Sequence, residues 1–287
     1  MKICVLTVNH GTTPYAELLL ASLLHHHPDR EDLDVVVLDN DSTELDRLSR
    51  FAGVEVVQTG YTTTHTLTTH GEILRDAVLA RPDYDAYLFV DCDVCFVADG
   101  TIDALAASLA ADPEAFAVQA RWLLHDGGEL PPSGEDSHPT SYVRESVRRS
   151  PDDDWSDPIE YSVTLQLTDR VHPFCALIRN DAAFRRTVEH VGLSPAAVQA
   201  ERGGKWWDTL GLLTQVMKTH GRHWTLSDQG VIHFGNVSWS SDWAAEKAAA
   251  RDRLLAPYST DAGSPEAGLG EAAGQAVGDD EQHQADQ

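Results

Sequence analysis

Basic side chains are scarce in this chain: 21 Lys and Arg stand against 46 Asp and Glu, giving a formal net charge of −25. Surfaces that bind nucleic acid or anionic membranes are built from clustered Lys and Arg, so neither partner is expected. Long apolar runs are missing as well. No segment approaches the ~18 residues of a transmembrane helix, and the opening MKICVLTVNHG has too short an apolar run for a signal peptide. Cysteine is limited to Cys4, Cys92, Cys95 and Cys175, each inside an apolar run, as the buried thiols of a cytosolic protein are. Cys92 and Cys95 form a C-x-x-C, but a zinc site needs a second ligand pair and a thioredoxin-like motif must open a helix. Neither condition is met, so core packing is expected. The hydrophobic content of 42% suffices for a core over 287 residues. The expectation is a soluble cytoplasmic protein.

What is present is an alternation of strands and helices. Residues 3–8 form a short β-rich run, followed by Gly11 and then TTPYAELLLASLLHHH, where Pro14 suits a first helical turn. LDVVVLDNDS is a second buried strand that stops at polar turn formers from Asp39 to Ser42. Further strands are predicted at 54–58, 86–90 and 115–122, with helices at 72–80 and 103–111. After residues 125–158, which hold nine acids and five prolines with little periodicity, HPFCALIRN reads as a strand. Residues 207–220 read as an amphipathic helix, and 231–234 as a short strand. Continuous apolar strands alternating with helices predict an α/β fold with a mostly parallel central sheet covered on both faces. Ligands bind such sheets at the carboxyl ends of the strands.

The domain expected from this pattern spans residues 1–255, with an irregular acidic insertion at 125–158. Beyond it, residues 256–287 include Asp261, Glu266, Glu271, Asp279, Asp280, Glu281 and Asp286 with no Lys or Arg. That composition predicts a disordered acidic tail.

One strand raises a chemical question. AYLFVDCDVCF ends a buried run in two carboxylates separated by one residue. Alternate side chains of an extended chain share a face, which would put Asp91 and Asp93 together and Cys92 opposite. Like charges held that close call for a metal ion between them or for a shared proton.

With VVVLDNDS, LFVDCDVCF, WWDTLGLLTQVMKTHG and IHF in that order, the chain resembles the nucleotide-sugar glycosyltransferases of the GT-A fold, in particular the inverting family 2 group. The resemblance spans roughly residues 1–245. It implies a nucleotide-binding part at about 1–122 and an acceptor-side part at about 159–245. It also implies a nucleoside-diphosphate sugar as donor, a hydroxyl-bearing acceptor, and Mn²⁺ or Mg²⁺. By resemblance Asp93 binds the metal, Asp91 holds ribose or the metal shell, and His233 completes that shell. Asp39 contacts the nucleobase or ribose, Thr7 ends the strand bordering the base, and Asp208 is the general base. His65 and His70, in the TTTHTLTTHG segment, lie where they could approach the pyrophosphate, and Trp206, Trp207 and Trp239 are candidates to stack on sugar faces.

The chain departs from the family pattern in two places. The acidic pair preceding the catalytic helix is Trp207-Asp208, and the Q-x-x-R-W signature of processive members is absent, which implies a single-transfer enzyme. The Asp91-Asp93 motif also resembles motif I of haloacid-dehalogenase-type phosphohydrolases, with Asp91 as nucleophile. There motif I opens the first strand, whereas two strand units precede Asp91 here. A non-catalytic sugar-nucleotide binder is the remaining alternative.

Overall fold

The computed structural model describes residues 1–28, 30–61, 66–129, 137–144, 159–166, 170–194, 196–199, 205–235, 237 and 244–259; for 66–68, 137–144, 159–166, 196–199 and 205–207 it describes the backbone alone. The strands in chain order are β1 Ile3–Asn9, β2 Leu33–Asp39, β3 Val54–Gln58, β4 Ala86–Val90, β5 Val94–Phe96, β6 Ala115–Leu123, β7 Ser137–Arg144, β8 Ile159–Gln166, β9 Cys175–Arg179, β10 Ala196–Gln199, β11 Lys205–Trp207 and β12 His223–His233. The α-helices are α1 Thr13–His26, α2 Thr66–Ala80, α3 Thr101–Ala111, α4 Ala182–His190, α5 Gly211–Thr219 and α6 Ala244–Leu255.

Eight strands form one sheet in the order β3-β2-β1-β4-β9-β6-β12-β5. The pairings among β3, β2, β1 and β4 are parallel, as is β6 with β12; β9 runs antiparallel between β4 and β6, and β5 antiparallel along β12. Period-two alternation divides the sheet between two cores. In β1, Ile3 and Val5 pack toward α1 and α3, among Leu19, Leu20, Leu23, Ile102 and Leu105. Cys4, Leu6 and Val8 pack toward α2, α4 and α5, among Leu74, Val78, Phe184, Val188 and Met217. Each fully buried Leu or Phe contributes about 1.5–3 kcal/mol relative to exposure, and strands buried on both faces have no polar face to offer solvent. That is why they read as continuous apolar runs.

Local signals explain most boundaries. Pro14 lies in the first turn of α1, where its missing N–H costs nothing. Asp181 caps α4, its Oδ1 accepting from the Ala183 and Phe184 N–H groups at 2.9 Å each, a bond set of about 1 kcal/mol. Helix α4 had not been read from the sequence, although Phe184, Thr187 and Val188 follow the cap at helical spacing.

Several elements differ from expectation. Helix α2 begins at Thr66 and absorbs His70 and Gly71; threonine's weak helix propensity had suggested a loop there. Helix α5 begins at Gly211, because Trp206 and Trp207 belong to β11, and Leu210 takes a left-handed conformation (φ 70°) at the junction. Asp208 therefore sits before the helix. The 125–158 stretch contains β7, which pairs antiparallel with β8 in a separate four-stranded sheet of order β11-β10-β7-β8. Its prolines and charges had masked that strand.

Candidate metal and sugar-nucleotide site

The two carboxylates of the D-x-D stretch sit in a turn and not in a strand. Strand β4 stops at Val90, and the turn is closed by the Val94 N–H donating to Asp91 O at 3.2 Å. The strict alternation assumed from sequence is therefore replaced by turn geometry, which still brings the two carboxylates together. Cys92 is buried on the α1 side, its Sγ 2.9 Å from Thr12 Oγ1, while the Asp91 and Asp93 carboxylates converge on His233.

His233 is brought to them by backbone pairing. It is the last residue of β12 and registers with Val94 of β5, and the next N–H, that of Phe234, donates to Asp93 O at 3.1 Å. Its Nε2 lies 3.1 Å from Asp93 Oδ1 and 3.4 Å from Asp91 Oδ2. The ring stacks on Phe174 with centroids 5.1 Å apart and meets Trp122 at 4.2 Å, and the Trp122 indole N–H donates to His233 O at 2.8 Å. One ligand atom from each of Asp91, Asp93 and His233 falls within 4.8 Å of the others.

His70 flanks the triad from α2. Its Nε2 is 3.8 Å from Asp91 Oδ1, and its Nδ1 hydrogen-bonds with Thr209 Oγ1 at 2.9 Å. Asp208 lies in the turn between β11 and α5, half exposed, with Oδ1 accepting from the Thr209 N–H at 2.8 Å. Its Oδ2 is 3.7 Å from Arg170 Nη1.

Burial dominates the titration of this cluster. Asp91 is pushed up to about 7, chiefly by desolvation, with Asp93 and Asp208 adding and His233 opposing. Burial works against a charge on His233, but the carboxylates of Asp93 and Asp91 outweigh it and raise its pKa. Burial lowers His70, and it lowers His172 to about 4 with help from the Arg170 charge. The site thus gathers three carboxylates around an imidazole, an arrangement that favours a bound cation.

Thr7 and Asp39 are placed elsewhere. Both lie at the carboxyl ends of β1 and β2, along the sheet edge that carries Asp91, and both are fully buried. Asp39 Oδ1 accepts from Asn9 Nδ2 at 2.9 Å and Oδ2 from the Ser42 N–H at 3.2 Å, so its carboxylate holds the loop after β2. Neither presents surface to a ligand. The side chains of Trp206 and Trp207 lie outside the described residues, as do His65 and Trp239 altogether.

Two residues of the site had not been singled out from sequence, Arg170 and His172. They precede β9, and the signal was a pair of basic residues in an acidic chain immediately before a buried strand. Only the antiparallel direction of β9 delivers them here: Val90 pairs with Cys175, and the Asp91 N–H donates to Phe174 O at 3.1 Å.

The architecture is that of the GT-A fold. No protein-family model matches the sequence, and no curated protein matches it. Among solved structures, the chain is similar to the mannosyltransferase PcManGT from Pyrobaculum calidifontis, in complex with GDP-Man and Mn²⁺, at 16% identity and a TM-score of 0.50, over 92% of this chain and 66% of that one. It is also similar to S. aureus TarS 1-349 in complex with UDP-GlcNAc, at 15% identity and a TM-score of 0.51, over 90% of this chain and 71% of that one. Against the longer S. aureus TarS chain the TM-score is 0.50 at 17% identity, and this chain spans only 43% of its length. The chain covers a little under two thirds of the mannosyltransferase, and at these identities the likeness is one of fold. Among the described residues no helix is long and apolar enough to cross a membrane.

Proposed function

We propose that this chain is a metal-dependent, inverting glycosyltransferase that moves a sugar from a nucleoside-diphosphate sugar to a hydroxyl-bearing acceptor. The observation that carries the reading is the convergence of Asp91, Asp93 and His233 at the carboxyl edge of a GT-A sheet, with ligand atoms within 4.8 Å. The fold neighbours that hold GDP-Man with Mn²⁺ and UDP-GlcNAc support the donor class.

The residues fit a divalent ion. Two carboxylates and one imidazole make an oxygen-rich set, and the imidazole tilts it toward Mn²⁺ over Mg²⁺. Asp93 and His233, both buried, would be ligands, with Asp91 completing the set. When bound, the ion supplies positive charge to the leaving diphosphate. His70 stands beside Asp91, its Nε2 3.8 Å from Oδ1, and is itself anchored on Thr209. Asp208 takes the proton from the attacking acceptor hydroxyl on Oδ2, since Oδ1 is occupied by the Thr209 N–H. At the nucleoside end Asp39 holds the loop after β2 in place through Asn9 and Ser42, and Thr7 lies buried in β1 at the same sheet edge. The four buried free thiols support an intracellular, cytoplasmic setting.

The test is a thermal-shift screen of nucleoside diphosphates with and without Mn²⁺. A ligand at 100 times its Kd adds about 2.7 kcal/mol of apparent stability, and the base giving the Mn²⁺-dependent shift identifies the donor. Absence of any such shift refutes the reading. Release of nucleoside diphosphate from the matching sugar donor then separates an enzyme from a binder.

A further inference from the structure

One guanidinium stands inside this acidic site. Arg170 is carried to the sheet edge by the segment entering β9, and its side chain is only 14% exposed. A guanidinium so enclosed is costly unless anionic oxygens meet its fork of donors. Among the described residues its one ion pair is with Asp208 Oδ2 at 3.7 Å, longer than a hydrogen bond, and Nη1 has no hydrogen-bond partner.

Its position relative to the triad is also informative. Among the described residues Asp91 and Asp93 pair with His70 and His233, whereas Arg170 meets Asp208. Arg170 therefore stands beside the carboxylate to which the acceptor hydroxyl is assigned above, and not among the proposed metal ligands.

We propose that Arg170 determines acceptor specificity by binding a carboxylate or phosphate carried by the acceptor, so that the substrate is an anionic hydroxyl compound and not a neutral sugar. This rests on the glycosyltransferase reading above. A two-oxygen anion matches the guanidinium fork and replaces the loose contact to Asp208 Oδ2, leaving that oxygen free for the hydroxyl proton. In a chain of net charge −25, an anionic acceptor needs such a fixed cation to approach three carboxylates at all.

The experiment is calorimetry on the full chain with Mn²⁺, titrating glucuronate, a hexose phosphate and neutral glucose, each with and without a nucleoside diphosphate. Wild type should bind at least one anionic probe about tenfold or more tighter than glucose, the worth of one charge-assisted hydrogen bond. Arg170→Gln should erase that preference while nucleoside-diphosphate affinity stays within about twofold, and Arg170→Lys, which keeps the charge without the fork, should fall between. Equal binding of charged and neutral probes by wild type overturns the proposal, as does no anion binding at all. A tenfold loss of nucleoside-diphosphate affinity in Arg170→Gln also overturns it, by assigning Arg170 to the donor. If wild type shows the anion preference but no Mn²⁺-dependent nucleotide binding, it is the glycosyltransferase reading that fails. Should Arg170→Gln not fold, judged by its melting curve, the Lys variant carries the comparison.

Discussion

Replacing Gly71 by alanine tests whether helix α2 is seated as described. A Cβ at this position would lie 2.3 Å from Ser194 Cα, 2.6 Å from Ser194 N and 2.9 Å from Leu193 C. All three are main-chain atoms that no rotamer change can move, and ordinary contact begins near 3.4 Å. Either α2 or the 193–194 segment must therefore retreat by about 1 Å, the kind of overpacking that costs about 1–3 kcal/mol. That retreat also pulls Ser194 Oγ from the buried Glu72 carboxylate it donates to, a charge-assisted bond of about 1.5–3 kcal/mol. Alanine returns up to about 1 kcal/mol through helix propensity. The expected net loss is about 1.5–6 kcal/mol, or about 3–24 °C in Tm at about 2–4 °C per kcal/mol for a domain of this size. His70 precedes Gly71 and Leu193 O accepts from the Leu210 N–H near Asp208, so Mn²⁺-dependent nucleotide affinity should fall with Tm. Circular-dichroism melting and calorimetry measure both. A Gly71→Ala protein that melts within about 1 °C of wild type would falsify the packing argument.

Three further outcomes are expected. Asp93→Ala should abolish Mn²⁺-dependent nucleoside-diphosphate binding in calorimetry, whereas Cys92→Ser should leave it intact because Sγ faces Thr12; equal effects in the two variants would sink the D-x-D assignment. Asp208→Asn should lower single-turnover transfer by about 10²–10⁴-fold with nucleotide affinity unchanged, and wild-type turnover with chemistry rate-limiting would move the base elsewhere. His27, packed edge-on against Phe96 at 5.4 Å, is held near pKa 4 by burial, with Arg30 adding. The folded state thus binds fewer protons than the unfolded one between about pH 6.5 and 4, so stability is full above that window and falls as pH drops through it, by about 2 kcal/mol after discounting for screening. Urea titrations should show His27→Gln flattening that slope, and an unchanged slope would refute the assignment.

The 86–90 run was legible because burial on both faces removes polar residues from β4, whereas the 54–58 run, an edge strand with no buried residue, was legible from its β-branched valines. The pairing of Asp91 with Asp93 was legible for a weaker reason, since the extended geometry invoked for it is a turn in the structure. What sequence could not supply was direction and reach. Nothing in HPFCALIRN distinguishes a strand parallel to β4 from one antiparallel to it, yet that choice decides whether Arg170 and His172 lie at the site edge or at the opposite one. The start of α2 was hidden by threonines whose local preference is overridden by packing of Gly71 against Ser194. The β7 strand was hidden by charges and prolines in the 125–158 stretch. Burial of Thr7 and Asp39 was likewise invisible, because a polar residue at a strand end looks the same whether it faces ligand or holds a neighbouring loop.

The hydrogen-bonded seam between β12 and β5 has a consequence for biosynthesis. Asp91 and Asp93 leave the ribosome early, with β4, but their third partner arrives only when β12 has been made and has inserted between β6 and β5. Until then a nascent chain carries two unneutralised carboxylates at an unfinished sheet edge, and closing that edge requires a long-range pairing of the kind that forms slowly. On the proposed reading, chains stalled before His233 should retain neither the ion nor the sugar nucleotide, so the triad is completed in a single late step of synthesis.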